Sequence, residues 1–310
     1  MRRLPARAWF LLRRGVASLV DSAGTREAAQ VAFFVLIAFP AALLLAIWGI
    51  STALDDPSVR SDVVDEIIEA LPLSDDEGRE EVEDLLDGVA DGAGTLGLLG
   101  AAALIWSASG AIGALRHSLG AVWPTGEPRP YFQGKALDVG LTILVAPGLI
   151  AALGLNLVEV GAGALRDEPL LQGVTSFLVT EIVPALALFA VFSLLYRVLP
   201  PGEASWREAL PGAVVVVFGA ALVRVGTELY FATVGTTAIY GAIAGLLAVS
   251  ISVYLLAIVA ILGANVAAER ARLPNTAAID AAIEAESGGG EPILREIGRL
   301  VRSLFVRRRG

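Results

Sequence analysis

Six blocks of mostly apolar residues punctuate this chain: Ala28–Ala53, Gly94–Leu115, Leu137–Leu157, Thr175–Leu199, Ala209–Phe231 and Ile239–Ala267. A helix needs about 20 such residues to cross the hydrocarbon core of a bilayer. Each block meets that length, so the pattern predicts an all-α, polytopic membrane protein with six transmembrane helices. The polar segments between the blocks are short except for one, 54–93.

Composition supports the same class. Of 310 residues, 55% are apolar, and the mean hydropathy of +0.70 is too high for a soluble domain of this length. Met1–Gly15 is basic, but no short apolar core with a small-residue cleavage site follows it, so no secretory signal is expected. There is no cysteine, hence no disulfide, thiolate nucleophile or Cys metal site. His117 is the single histidine and has no evident catalytic partner nearby in sequence. It reads as a polar residue at a helix end. The expectation is a non-enzyme with no cofactor and no metal.

Charge orients the spans. With the N-terminus placed in the cytoplasm, 19 of the 23 Lys and Arg residues fall on inside segments. Arg60, Arg79 and Arg166 fall outside, and Arg224 lies within a span. Cytoplasmic loops carry such an excess, so both ends are expected inside.

The long segment 54–93 would form an acidic outer cap. Fifteen carboxylates lie between Asp55 and Asp91, against two arginines. Val59, Val63, Ile67 and Leu71 make one helical stripe, and Val82, Leu85, Leu86 and Val89 another. Pro72 ends the first helix, and Ser74 with Glu77 matches a capping box for the second. The inside ends read as basic amphipathic segments at 1–27 and, within the tail 268–310, at 291–306. Such helices anchor on anionic leaflets. Glu286–Pro292 reads as a flexible hinge.

Prolines and glycines shape the spans. Pro40, Pro147 and Pro184 fall inside the first, third and fourth spans, where each removes a backbone donor and invites a kink. The freed carbonyls need a neighbouring helix or a wet cavity. Gly212, Gly219 and Gly226 recur every seven residues along the fifth span, and Gly241 and Gly245 form GxxxG in the sixth. Small faces allow close approach, so these two spans are expected to pack tightly. The same face could serve a homo-oligomer.

The segment "ALVRVGTELYF", Ala221–Phe231, carries the sharpest chemistry. Fifteen uncharged residues, Ala209–Val223, precede Arg224, and Glu228 follows one turn later. Arg before Glu is the order that the helix dipole disfavours, so a partner on another helix explains Arg224 better. Glu181 in the fourth span falls at similar depth, with Asn156 and Glu159 at the outer end of the third. Intramembrane charges mark functional sites by default. The candidate substrate-binding set is therefore Arg224, Glu228, Glu181, Asn156 and Glu159. The competing reading is that Arg224 snorkels to the outer interface.

Several stretches resemble one family: "AAQVAFFVLIAFP" from Ala28, "WSASGAIGALRHSLGAVW" from Trp106 followed by Arg129, "YRVLPPGEASWREALPGA" from Tyr196, "YGAIAGLL" from Tyr240 and "YLLAIVAILGAN" from Tyr254. Together they resemble the YihY/virulence factor BrkB family of inner-membrane proteins, which also carries an older ribonuclease BN label. The chain departs from the usual pattern at Ile37–Phe39, where a Ser commonly precedes the proline, and at Asn265, where an acid is common. The resemblance implies a six-helix inner-membrane fold, and it links some members to moving lipids to the cell envelope. A basic residue late in the fifth span is family-like.

Two functions follow as expectations. The first is transport or flipping of an anionic lipid or envelope component through an outward-facing polar cavity, with Arg224 on the headgroup and membrane lipids as partners. The alternative is a non-transporting scaffold that recruits an envelope protein through its acidic outer loop. A nuclease is not expected, because no cytoplasmic carboxylate cluster suits a metal and no soluble domain could hold nucleic acid.

Overall fold

The computed structural model describes residues 3–22, 24–53, 93–124, 126–127, 129–145, 181–202, 204–234, 241–273 and 275–288. Every regular element among them is helical: α1 (Arg3–Asp21), α2 (Gly24–Ala53), α3 (Ala93–Val122), α4 (131–145), α5 (Val183–Val198), α6 (Trp206–Val234), α7 (Gly241–Arg272) and α8 (Thr276–Gly288). The acidic cap, the basic helix at 291–306, Pro147, Asn156 and Glu159 lie outside the described residues.

α7 is the hub. It packs against α1, α2, α3 and α6, while α2 lies along α3 and α5 along α6. The main core gathers Leu119, Tyr196, Leu199, Val216, Ile261 and Ala264. Large apolar side chains also cover the outside. Phe218, Leu222, Val225 and Leu229 are all exposed, and their spacing puts them on one stripe of α6. Phe33, Ile37, Leu186 and Ile251 do the same on other helices. Such a surface suits hydrocarbon and would aggregate in water. Trp206–Leu229 and Val249–Arg272 are each long and apolar enough to cross a membrane, and Val183–Val198 is a shorter apolar helix.

The helices outrun the apolar blocks. α3 continues past Leu115 through Arg116 and His117, and α4 begins at 131 rather than 137. α7 continues past Ala267 through residues 268–272. In each case a charge that ended an apolar block finds a partner on another helix, so the helix continues at little cost.

The close contact expected between the last two apolar blocks is present, and Gly263 and Val259 supply its far side. A Cβ at Gly212 would collide with the Gly263 carbonyl, and one at Gly263 would lie 2.6 Å from the Tyr196 hydroxyl. Gly219 abuts Val259. Gly226 meets no described atom within 4 Å. The heptad face is thus used at two of its three positions. Tyr196, fully buried, donates from its hydroxyl to the Ala260 carbonyl at 2.6 Å beside this crossing.

Two terminal segments differ from expectation. The apolar face of α1 does not wait for a lipid surface: Phe10 and Leu11 are buried with Val266 and Ile279, and Leu19 joins the main core. The tail also contains α8, which covers Glu286–Gly288 of the expected hinge. Its start is capped by Asn275, whose Oδ1 accepts from Ala278 N–H at 2.7 Å. Asn275 before an Ala-rich run is the sequence signal for this helix start.

Candidate functional site: charges within the helical bundle

The segment leading into α5 meets α6 at Arg224. Its Nη2 donates to Glu181 Oε1 at 2.7 Å, while its Nε lies 3.4 Å from Glu228 Oε1. The shorter bond goes to the other helix, as the disfavoured Arg-before-Glu order requires. Glu181 and Ile182 form a π turn immediately before α5. Pro184 sits in the first turn of α5, a position that tolerates its missing N–H. α2 runs through Pro40.

The trio is accessible. The side chains of Arg224 and Glu228 are 55% and 65% exposed. At about 100° per residue, Arg224 and Glu228 lie roughly 110° around α6 from the Phe218–Leu229 stripe. One guanidinium faces two carboxylates, so the formal charge of the trio is −1. Arg224 is thus no open anion site. An anion reaching it must compete with Glu181. Nearby, the Thr227 and Ser252 hydroxyls lie 3.2 Å apart, adding a polar link between α6 and α7.

A second set of charges, at the opposite end of α6, went unread in the sequence. Arg116 forks Asp138 through Nε and Nη2 at 2.9 and 3.1 Å. Glu269, only 3% exposed, accepts from Arg14 Nε at 2.7 Å and from Arg272. Ser18 donates to Asn265 Oδ1 at 2.7 Å, and Arg7 pairs with Asp280 at 2.6 Å. That last bond holds the Arg7 guanidinium above its ordinary range. Arg129 donates to the Val198 and Leu199 carbonyls, and Arg272 to that of Val122. These are the open carbonyl ends of α5 and α3, where cations are favoured. Charges that read as a topology signal also close the bundle. The available clue was Asp138 and Glu269 standing beside apolar runs, each a carboxylate needing a partner.

Glycines make room for the Arg116–Asp138 pair. A Cβ at Gly134 would lie 2.8 Å from the Arg116 guanidinium carbon, and one at Gly113 would lie 3.0 Å from Asp138 Oδ2. Gly126, with φ +99°, seats the loop before α4 on the α5–α6 turn. A Cβ there would sit 2.6 Å from Gly202 N, so glycine is required twice over.

An all-helical bundle with lipid-facing apolar stripes and interior ion pairs is a multi-pass membrane protein. Residues 17–287 match the family described as virulence factor BrkB, and the chain belongs to that family. Its relatives include the ribonuclease-like protein YfkH of Bacillus subtilis (strain 168), 30% identical over 185 residues, which are 57% of this chain and 67% of that protein. UPF0761 membrane protein Mpe_A1422 of Methylibium petroleiphilum is 31% identical over 175 residues, covering 56% of this chain and 41% of that one. UPF0761 membrane protein RSc1559 of Ralstonia nicotianae is 30% identical over 158 residues, covering 50% and 35%. The chain thus spans two-thirds of the first relative and under half of the other two. No solved structure matches it.

Proposed function

We propose that this chain crosses the membrane six times with both ends in the cytoplasm, and that it moves an anionic lipid or related envelope component. The observation that carries this reading is Arg224, which follows fifteen uncharged residues of α6 and is tied to Glu181 on another segment at 2.7 Å. A charge within a spanning helix carries an insertion cost, and simple anchoring does not require one placed on the flank of a lipid-facing stripe. The pair bridges two helices and is accessible, so a headgroup phosphate can displace Glu181 and take the guanidinium in a bidentate grip. Arg224 acts as the headgroup ligand, and Glu181 and Glu228 hold it in place between events.

The test is transbilayer exchange of a labelled anionic phospholipid in liposomes containing the protein. Wild type is expected to accelerate exchange and Arg224→Ala to lose most of it. Folded wild-type protein that leaves exchange at the protein-free rate overturns the reading and turns attention to the acidic outer loop and a recruited envelope protein.

A further inference from the structure

The end of the bundle that holds Arg116 and Asp138 also opens a pocket of about 230 Å³ between α3, the loop before α4 and the α5–α6 turn. Arg116, His117 and Arg129 supply its polar lining, and among the described residues no carboxylate lines it. Gly120, Leu199 and Pro201 complete the walls. A guanidinium carries five N–H donors. Arg116 spends two on Asp138, and Arg129 spends two on the α5 carbonyls. Three donors remain on each, and both groups are already oriented.

The charge balance favours an anion. Asp138 neutralises Arg116, but the partners of Arg129 are uncharged carbonyls. The α5 C-terminus offsets only about half of that cation. The described lining therefore keeps net positive character, unlike the trio around Arg224. Tyr131 and Phe132, separated from Arg129 by one residue, are strongly exposed and stack edge to face at 5.6 Å. Exposed aromatic side chains of this kind settle at the headgroup level of a bilayer. Arg224 lies 18 residues beyond Trp206, or roughly 27 Å along α6, so the pocket and the trio fall near opposite faces of the hydrocarbon layer.

We infer that this pocket binds the phosphate of a phospholipid headgroup from the leaflet at its own end, with Arg116 and Arg129 on the phosphate oxygens and His117 donating from the rim. The site extends the lipid reading above to a second leaflet, and it can hold lipid whether or not the protein transports any.

Gly120 provides the test without disturbing the structural arginines. A Cβ there meets no described atom within 4 Å. Gly120→Glu places a carboxylate at the mouth, and Gly120→Gln is its neutral twin of the same shape. Binding of short-chain phosphatidylglycerol to full-length, delipidated protein in detergent is measured by native mass spectrometry, with inorganic phosphate as competitor. Wild type is expected to bind saturably, Gly120→Glu about tenfold more weakly or worse, and Gly120→Gln within about threefold of wild type. Equal binding by all three proteins, or none by wild type, overturns the site. Inorganic phosphate competing as well as the lipid reassigns the pocket to a soluble phosphate and overturns the lipid assignment. Because the readout is binding, absent lipid exchange in liposomes does not bear on it, and its failure leaves the Arg224 reading intact.

Discussion

Arg116 and Asp138 form a two-pronged ion pair between α3 and α4, with the Asp138 side chain only 2% exposed and a glycine beside each partner. Breaking a buried pair from one side strands the other charge, which typically costs 3–5 kcal/mol, whereas replacing both charges with apolar groups is often neutral or stabilising. Arg116→Ala is therefore expected to lose about 3–5 kcal/mol. The double change Arg116→Met with Asp138→Leu should recover most of it. Thermal unfolding in detergent, followed by circular dichroism, measures both. A single variant as stable as wild type would show that water reaches the carboxylate.

The α6–α7 crossing makes a contrast along one heptad-spaced glycine face. Gly212→Val drives a branched side chain into the Gly263 backbone and is expected to cost at least the roughly 1–3 kcal/mol of an overpacked core. Gly226→Ala has open space among the described residues and replaces glycine with a better helix former, which favours the helix by up to about 1 kcal/mol. The same unfolding assay should rank them in that order.

Arg224 and Glu181 separate structure from function by charge exchange. Arg224→Glu puts three carboxylates together and should destabilise the α5–α6 contact. Adding Glu181→Arg restores an ion pair of opposite sense and should restore folding. Lipid exchange should stay low in the swapped protein if the cation is needed on α6. Full recovery of exchange would mean that the pair only holds helices.

The tail helix depends on Arg7. Its guanidinium is raised by the Asp280 hydrogen bond, so its contribution is complete below the unfolded pKa and is lost only as pH rises through the folded one. Both lie far above the working range, so titration of Arg7 adds no pH dependence between about pH 6 and 9. Arg7→Ala should raise amide hydrogen exchange severalfold across 276–288 and leave α7 protected. Unchanged exchange would place the attachment on Phe10, Leu11 and Ile279 alone.

The sequence by itself determined what depends on the solvent. Runs of about 20 apolar residues are dictated by the thickness of hydrocarbon, so the helical, membrane-embedded class and its family were legible before any coordinates. Arg224 and Glu181 were legible as partners for a local reason: helix physics made the i,i+4 pair a poor match, and both residues fell at one depth. Tertiary structure decided what depends on which helix faces which. Gly263 became the partner of Gly212, α1 turned its apolar face inward, and Arg116, Arg129 and Arg272 were assigned to named acceptors. A basic residue at the end of an apolar run looks the same in sequence whether it meets water, a lipid phosphate, a buried carboxylate or an open helix end. Only the packing of distant segments chooses among them, because each of those interactions is short-ranged and set by side-chain geometry.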